Sequence, residues 1–138
     1  RIVMKSLIRN TNQVKQAIDF TGLQNGKIHP TDIDAVLEFN NKHLILIEVK
    51  KEGNKFKGGQ LFAYQNICNA WNKSGKIGII LFVTHNFKDD TKNIPLSECN
   101  VEEYYIGMRW HKAKSLNLIY LLNKLGEKWG IDKLKINR

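Results

Sequence analysis

The chain has 138 residues, 42% of them hydrophobic, and carries 22 Lys and Arg against 13 Asp and Glu, a formal charge of +9. That length supplies one core and not two, the apolar content excludes a disordered polymer, and no apolar run is long enough to cross a bilayer. A single domain over residues 1–138 with no membrane partner is expected, and RIVMKSLIRN lacks the long apolar segment of a secretory signal, so the expected location is cytoplasmic. The basic excess favours a polyanionic partner, nucleic acid first, through phosphate neutralisation and counterion release. Cys68 and Cys99 stand apart with no CxxC and no His at ligand spacing. They support neither zinc nor a cysteine-held cluster, and both read as buried free thiols.

In chain order, Leu7, Ile8, Val14, Ala17, Ile18 and Phe20 are spaced compatibly with a first helix over about 5–20, ending near Gly22. Pro30 biases His29 toward extended geometry, and IDAVLEF (33–39) then alternates as a strand. Asn40 and Asn41 are turn residues, and HLILIEVK (43–50) follows as a second strand, so the pair reads as a hairpin. KKEGNKFKGG is a basic loop, and QLFAYQNICNAW (60–71) a helix with Leu61, Tyr64, Ile67, Cys68 and Trp71 at helical spacing. IGIILFV (77–83) is a continuous apolar run, the pattern of a central strand buried on both faces. A polar loop to about Glu98 leads to a strand over VEEYYIGM (101–108). SLNLIYLLNKLGEKW (115–129) closes the chain as an amphipathic helix with Leu118, Leu122, Leu125 and Trp129 in the core. The expected class is α/β, a mixed central sheet flanked by helices.

Residues two apart on a strand share a face. Asp32 and Asp34 therefore fall together at the start of the first strand, and Leu44, Leu46, Glu48 and Lys50 together on the second, opposite Ile45, Ile47 and Val49. A hairpin pairs start against finish, which brings Asp34 close to Glu48 and Lys50. Carboxylates converging at the end of an apolar strand repel and lose hydration, and a divalent cation relieves both costs. Mg²⁺, with Mn²⁺ as substitute, suits an all-oxygen set that also includes the Val49 carbonyl. Such a cation polarises a phosphoryl group and acidifies a bound water, while Lys50 orients that water or offsets growing charge. Lys51, Lys55 and Lys57 in the following loop are placed to hold phosphate, with Phe56 between them able to stack on a base.

P-T-D-I-D (Pro30–Asp34) followed by E-V-K (Glu48–Lys50) resembles the PD-(D/E)XK nuclease superfamily. Gln60 and Tyr64 in GGQLFAYQN match the Q-x-x-x-Y motif of its RecB-like members. E-x-K alone is a weak signal; the joint order and spacing of the three motifs makes it specific. The resemblance implies a restriction-endonuclease-like core, Asp34 rather than Asp32 as the main metal ligand, and a catalytic set of Asp34, Glu48, Lys50 and Gln60. It also implies that Gln60 and Tyr64 help position metal ligands or DNA. Three departures stand out: only residues 27–29 could supply the extra strand before the Asp-bearing one, Asp19 is the only acid on the first helix, and the cluster-forming cysteines of some relatives are missing. The expected function is a Mg²⁺-dependent nuclease cutting DNA, in repair, recombination or a mobile element, working as a homodimer or with a partner that gives specificity. The alternative is a catalytically silent nucleic-acid-binding module of the same fold.

Overall fold

A computed structural model describes Leu23 and residues 30–136. The chain groups into two units, Arg1–Pro30 and Thr31–Arg138, and the sheet and its helices belong to the second. The expected first helix, Asp19, His29 and the short strand at 27–29 lie outside the described residues.

β1 (Ala35–Phe39) and β2 (His43–Lys51) pair antiparallel, with Ala35 opposite Ile47 and Phe39 opposite His43. Asn40 and Asn41 reverse the chain at φ of 54° and 56°, a region asparagine tolerates, and Lys42 N–H closes the turn on the Phe39 carbonyl. β2 runs parallel to β3 (Ile77–His85), so the chain must cross from the end of one to the start of the other, and α1 (Gly58–Lys73) makes the crossing. β3 is the middle strand of the order β1-β2-β3-β4-β5 and is buried from residue 78 to 84, as its unbroken apolar run predicts.

β4 (Asn100–Ile106) and β5 (Arg109–Asn117) complete the sheet as an antiparallel hairpin. This corrects the reading of 101–108 as one strand and of 115–129 as helix. Gly107 and Met108, both at positive φ, form a turn that ends β4, and β5 occupies the stretch up to Asn117. β5 is not regular. Glu103 faces Lys112 while Val101 faces Leu116, so three residues stand against Glu102, and Lys114 and Ser115 in this bulge have φ of 54° and 55°. α2 (Leu118–Trp129) starts only after Asn117, whose side chain accepts the Tyr120 N–H at 3.2 Å and satisfies one of the free donors of the first turn.

The sheet is covered on both faces. Leu44 and Leu46 of β2 pack with Ile80, Tyr105 and the α1 residues Tyr64 and Cys68. Ile45, Ile47, Ile79, Leu81 and Val83 pack on the other side with Leu118, Leu122 and Leu125 of α2. Each such side chain contributes about 1.5–3 kcal/mol when fully buried, so the two layers fix which way every residue of β2 points. Gly78 lets α1 approach the sheet: a Cβ there would stand 3.2 Å from both Cys68 Sγ and Trp71 Cδ1. The class is α/β: among the described residues, a mixed five-stranded sheet with a helix on each face. Cys68 and Cys99 are free and fully buried, and burial pushes the Cys68 thiol up to about 11. Among the described residues, no helix is long and apolar enough to cross a membrane.

Candidate active site

Strand alternation makes the site. Because Leu44 and Leu46 point to α1, Glu48 must too, and it is carried under the helix to 2% exposure. The register of β1 with β2 sets Asp34 across from Glu48, since Ala35 already faces Ile47. Asp34 occupies a bend just before β1, not a place within the strand as the reading of 33–39 expects, and Asp32 lies further out in irregular chain. Asp34 Oδ2 accepts the Val49 N–H at 2.8 Å, which ties the carboxylate to the open flank of β2. The N–H and C=O of a strand residue project to the same side, so the Val49 carbonyl faces this flank as well.

Tyr64 holds the assembly from beneath. It is fully buried, and its hydroxyl accepts the Asp34 N–H at 3.3 Å and donates toward the carbonyls of Asp32 and Ile47, each at 3.5 Å. Burial foremost, with Glu48 next, holds this hydroxyl far above the ordinary phenol range. Gln60 stands one turn earlier on α1, half-buried, and its amide makes no hydrogen bond among the described residues.

Glu48 is the most perturbed acid of the site. Burial foremost, then the adjacent Asp34, pushes its carboxyl up to about 7, against smaller opposing effects of the Tyr64 hydroxyl and the Lys50 ammonium. Lys50 Nζ stands 3.8 Å from Glu48 Oε1, and Glu48 Oε2 is buried with no hydrogen-bond partner. A buried carboxylate oxygen left unpaired costs free energy unless something binds it. The available donors are the two carboxylates and the Val49 carbonyl, an all-oxygen set of the kind that holds a small hard cation retaining several waters. It is not a set for zinc, and among the described residues no three His, Cys, Asp or Glu gather at one point.

The basic loop is divided by the fold. Lys50, Gly53, Asn54, Lys55 and Lys57 line a depression of about 490 Å³ beside the carboxylates. Lys51, next to Lys50 on β2, alternates to the opposite face and does not line it. Phe56 is half-buried; it turns inward, with ring centroids 4.8 Å from Tyr64, 5.8 Å from Phe82 and 6.0 Å from Trp110.

Neighbouring strands add groups that the motifs do not single out. Phe82 faces Glu48 in the β2–β3 register and Glu103 in the β3–β4 register, while Thr84 faces Lys50. Thr84 and Ser115 donate their hydroxyls to Glu102 Oε1 at 3.0 and 2.7 Å. The left-handed bulge of β5 brings Ser115 to that carboxylate. Parallel pairing of 43–50 with 77–84 would have placed Phe82 and Thr84 here from sequence, but a hairpin-only reading of β2 carries no such register. No family model, curated protein or solved structure matches the chain.

Proposed function

We propose that the chain is a metal-dependent nuclease with the restriction-endonuclease-like arrangement of the PD-(D/E)XK superfamily, hydrolysing phosphodiester bonds of DNA. One observation carries the reading: Glu48, buried to 2% with an unpartnered oxygen, is held across from Asp34 and 3.8 Å from the Lys50 ammonium. A purely structural role would leave this oxygen unsatisfied at a cost of about 1–3 kcal/mol or more.

Asp34, Glu48 and the Val49 carbonyl would hold Mg²⁺ or Mn²⁺. The bound cation supplies Lewis-acid polarisation of the phosphoryl group and a more acidic water. The protein's own part is positional. Tyr64 and the Val49 N–H hold the Asp34 backbone and carboxylate in place. Lys50 sits where an ammonium can orient the attacking water or offset charge on the phosphoryl oxygens. Lys55 and Lys57 attract the flanking phosphates, and the +9 charge steers polyanions toward them.

The test is to incubate purified protein with linear, circular, single-stranded and branched DNA, and with RNA, in Mg²⁺ or Mn²⁺, beside Glu48→Gln and Lys50→Ala. The expected result is cleavage by the wild type that both substitutions abolish and EDTA prevents. If no substrate is cut, or both variants cut as the wild type does, the nuclease reading is wrong. Salt-sensitive binding without cutting would then support the silent binding module.

A further inference from the structure

A second hollow adjoins the lysine-lined depression. Phe56, Leu61, Phe82, Glu103 and Trp110 line a pocket of about 200 Å³. The short loop before α1 separates the two hollows. Lys55 and Lys57 face the basic side, and Phe56 between them faces the aromatic side. The floor residue Phe82 sits directly opposite Glu48 on the neighbouring strand, about 5 Å away at the backbone. The aromatic walls are fixed in orientation: Trp110 donates its indole N–H to Gln65 Oε1 at 2.7 Å and packs on Tyr105 at 5.2 Å, and Phe56 is braced on Tyr64 at 4.8 Å.

Several properties narrow the occupant. Pockets for drug-sized ligands span about 300–1,000 Å³, so this one suits a single small ring system. Its walls are aromatic and aliphatic side chains, with one carboxylate, Glu103, able to accept from an exocyclic amine. The phosphate-attracting lysines lie across the Phe56 loop, and the buried Glu48 faces the floor residue Phe82 from the next strand. A ring carried on a phosphate chain meets all of these at once.

We infer that the Phe56–Leu61–Phe82–Trp110 pocket seats one unpaired nucleobase next to the scissile phosphate, so that the protein selects single-stranded or unstacked nucleic acid over intact duplex. The inference rests on the nucleic-acid reading of the neighbouring carboxylates and lysines. A base inside a duplex has both ring faces covered by its neighbours and shows only its edges in the grooves, so it cannot enter a side pocket without leaving the stack. A single strand presents free ring faces, and aromatic stacking on them tolerates any sequence.

The test measures binding in EDTA, where no cutting occurs, by fluorescence anisotropy of a labelled single strand and of a blunt duplex of the same length. Phe56→Leu keeps the packing on Tyr64 but removes the stacking ring, and Leu61→Trp fills the pocket without emptying the core. Circular dichroism confirms that each is folded. Both substitutions are expected to weaken single-strand binding about tenfold and to leave the weaker duplex binding unchanged. Lys55→Ala with Lys57→Ala weakens both ligands and lowers the salt slope. Single-strand binding unchanged in Phe56→Leu and Leu61→Trp, or weakened no more than duplex binding, overturns the base seat. The two readings fail separately: a wild type that cuts nothing while Phe56→Leu selectively loses single-strand affinity removes the nuclease and keeps the seat. A wild type that cuts, with pocket variants binding single strands normally, does the reverse.

Discussion

Replacing Glu48 with Gln tests the centre of the site through folding rather than turnover. The wild-type carboxyl rises from an ordinary value of 4.5 to about 7, chiefly by burial. Between those two pH values the folded chain keeps a proton that the unfolded chain has released, so stability falls as pH rises. The contribution is fully present below about pH 4.5, is lost as pH passes through 7, and amounts to about 3 kcal/mol, since each pH unit of difference is worth about 1.4 kcal/mol. Glutamine has nearly the same shape as the protonated acid and no proton to lose. In EDTA, the two proteins are therefore expected to melt alike near pH 4.5, while at pH 8 Glu48→Gln is the more stable by about 3 kcal/mol, or about 10 °C for a chain of this size. Thermal melts followed by circular dichroism across this range give the difference directly, because every other titrating group is common to both. Millimolar MgCl₂ at pH 8 is expected to raise the wild type, whose ionised carboxylate it neutralises, and not the variant. Parallel melting curves for the two proteins at every pH would refute the buried-acid argument. A variant raised by Mg²⁺ as much as the wild type would refute Glu48 as a ligand.

Asp34→Asn keeps an oxygen for the Val49 N–H, so stability is expected to change by no more than about 1 kcal/mol in urea titrations while cleavage falls roughly a hundredfold or more. Tyr64→Phe removes the hydroxyl that accepts the Asp34 N–H and should cost about 1–2 kcal/mol in the same titrations; an unchanged midpoint would show that this hydroxyl carries no load. Gly78→Ala places a methyl 3.2 Å from Cys68 Sγ and Trp71 Cδ1, and overpacking there is expected to lower stability by about 1–3 kcal/mol, read from the thermal midpoint.

What could be read from sequence followed the strength of the local pattern. The unbroken apolar run of β3 marks a strand buried on both faces, and the alternation of β2 and the leucine spacing of α2 mark which side chains turn inward, so their layers are as expected. The meeting of Asp34 with Glu48 follows from the same alternation plus one turn. β5 is not legible in the sequence because its bulge breaks the two-residue period at 113–115 and its edge position asks for few apolar residues. The Gly107–Met108 turn was hidden by a methionine at positive φ, a place where sequence signals call for Gly or Asn. Ser115, the first residue of the expected helix, instead lies in β5 with its hydroxyl on Glu102, and Asn117 caps α2. The aromatic pocket was illegible for a different reason. Its walls come from the loop before α1, from α1, β3, β4 and β5, and only the strand registers bring Phe82, Glu103 and Trp110 together.

The irregularity of β5 also bears on how the protein behaves in company. Among the described residues β5 is the last strand of the sheet, and such a margin offers a ladder of vacant amides to any passing chain. Two consecutive left-handed residues tilt that ladder out of line, and Lys112 and Lys114 add like charges that repel a second copy. The bulge that delivers Ser115 to Glu102 thus also makes this edge a poor partner for a strand of another molecule.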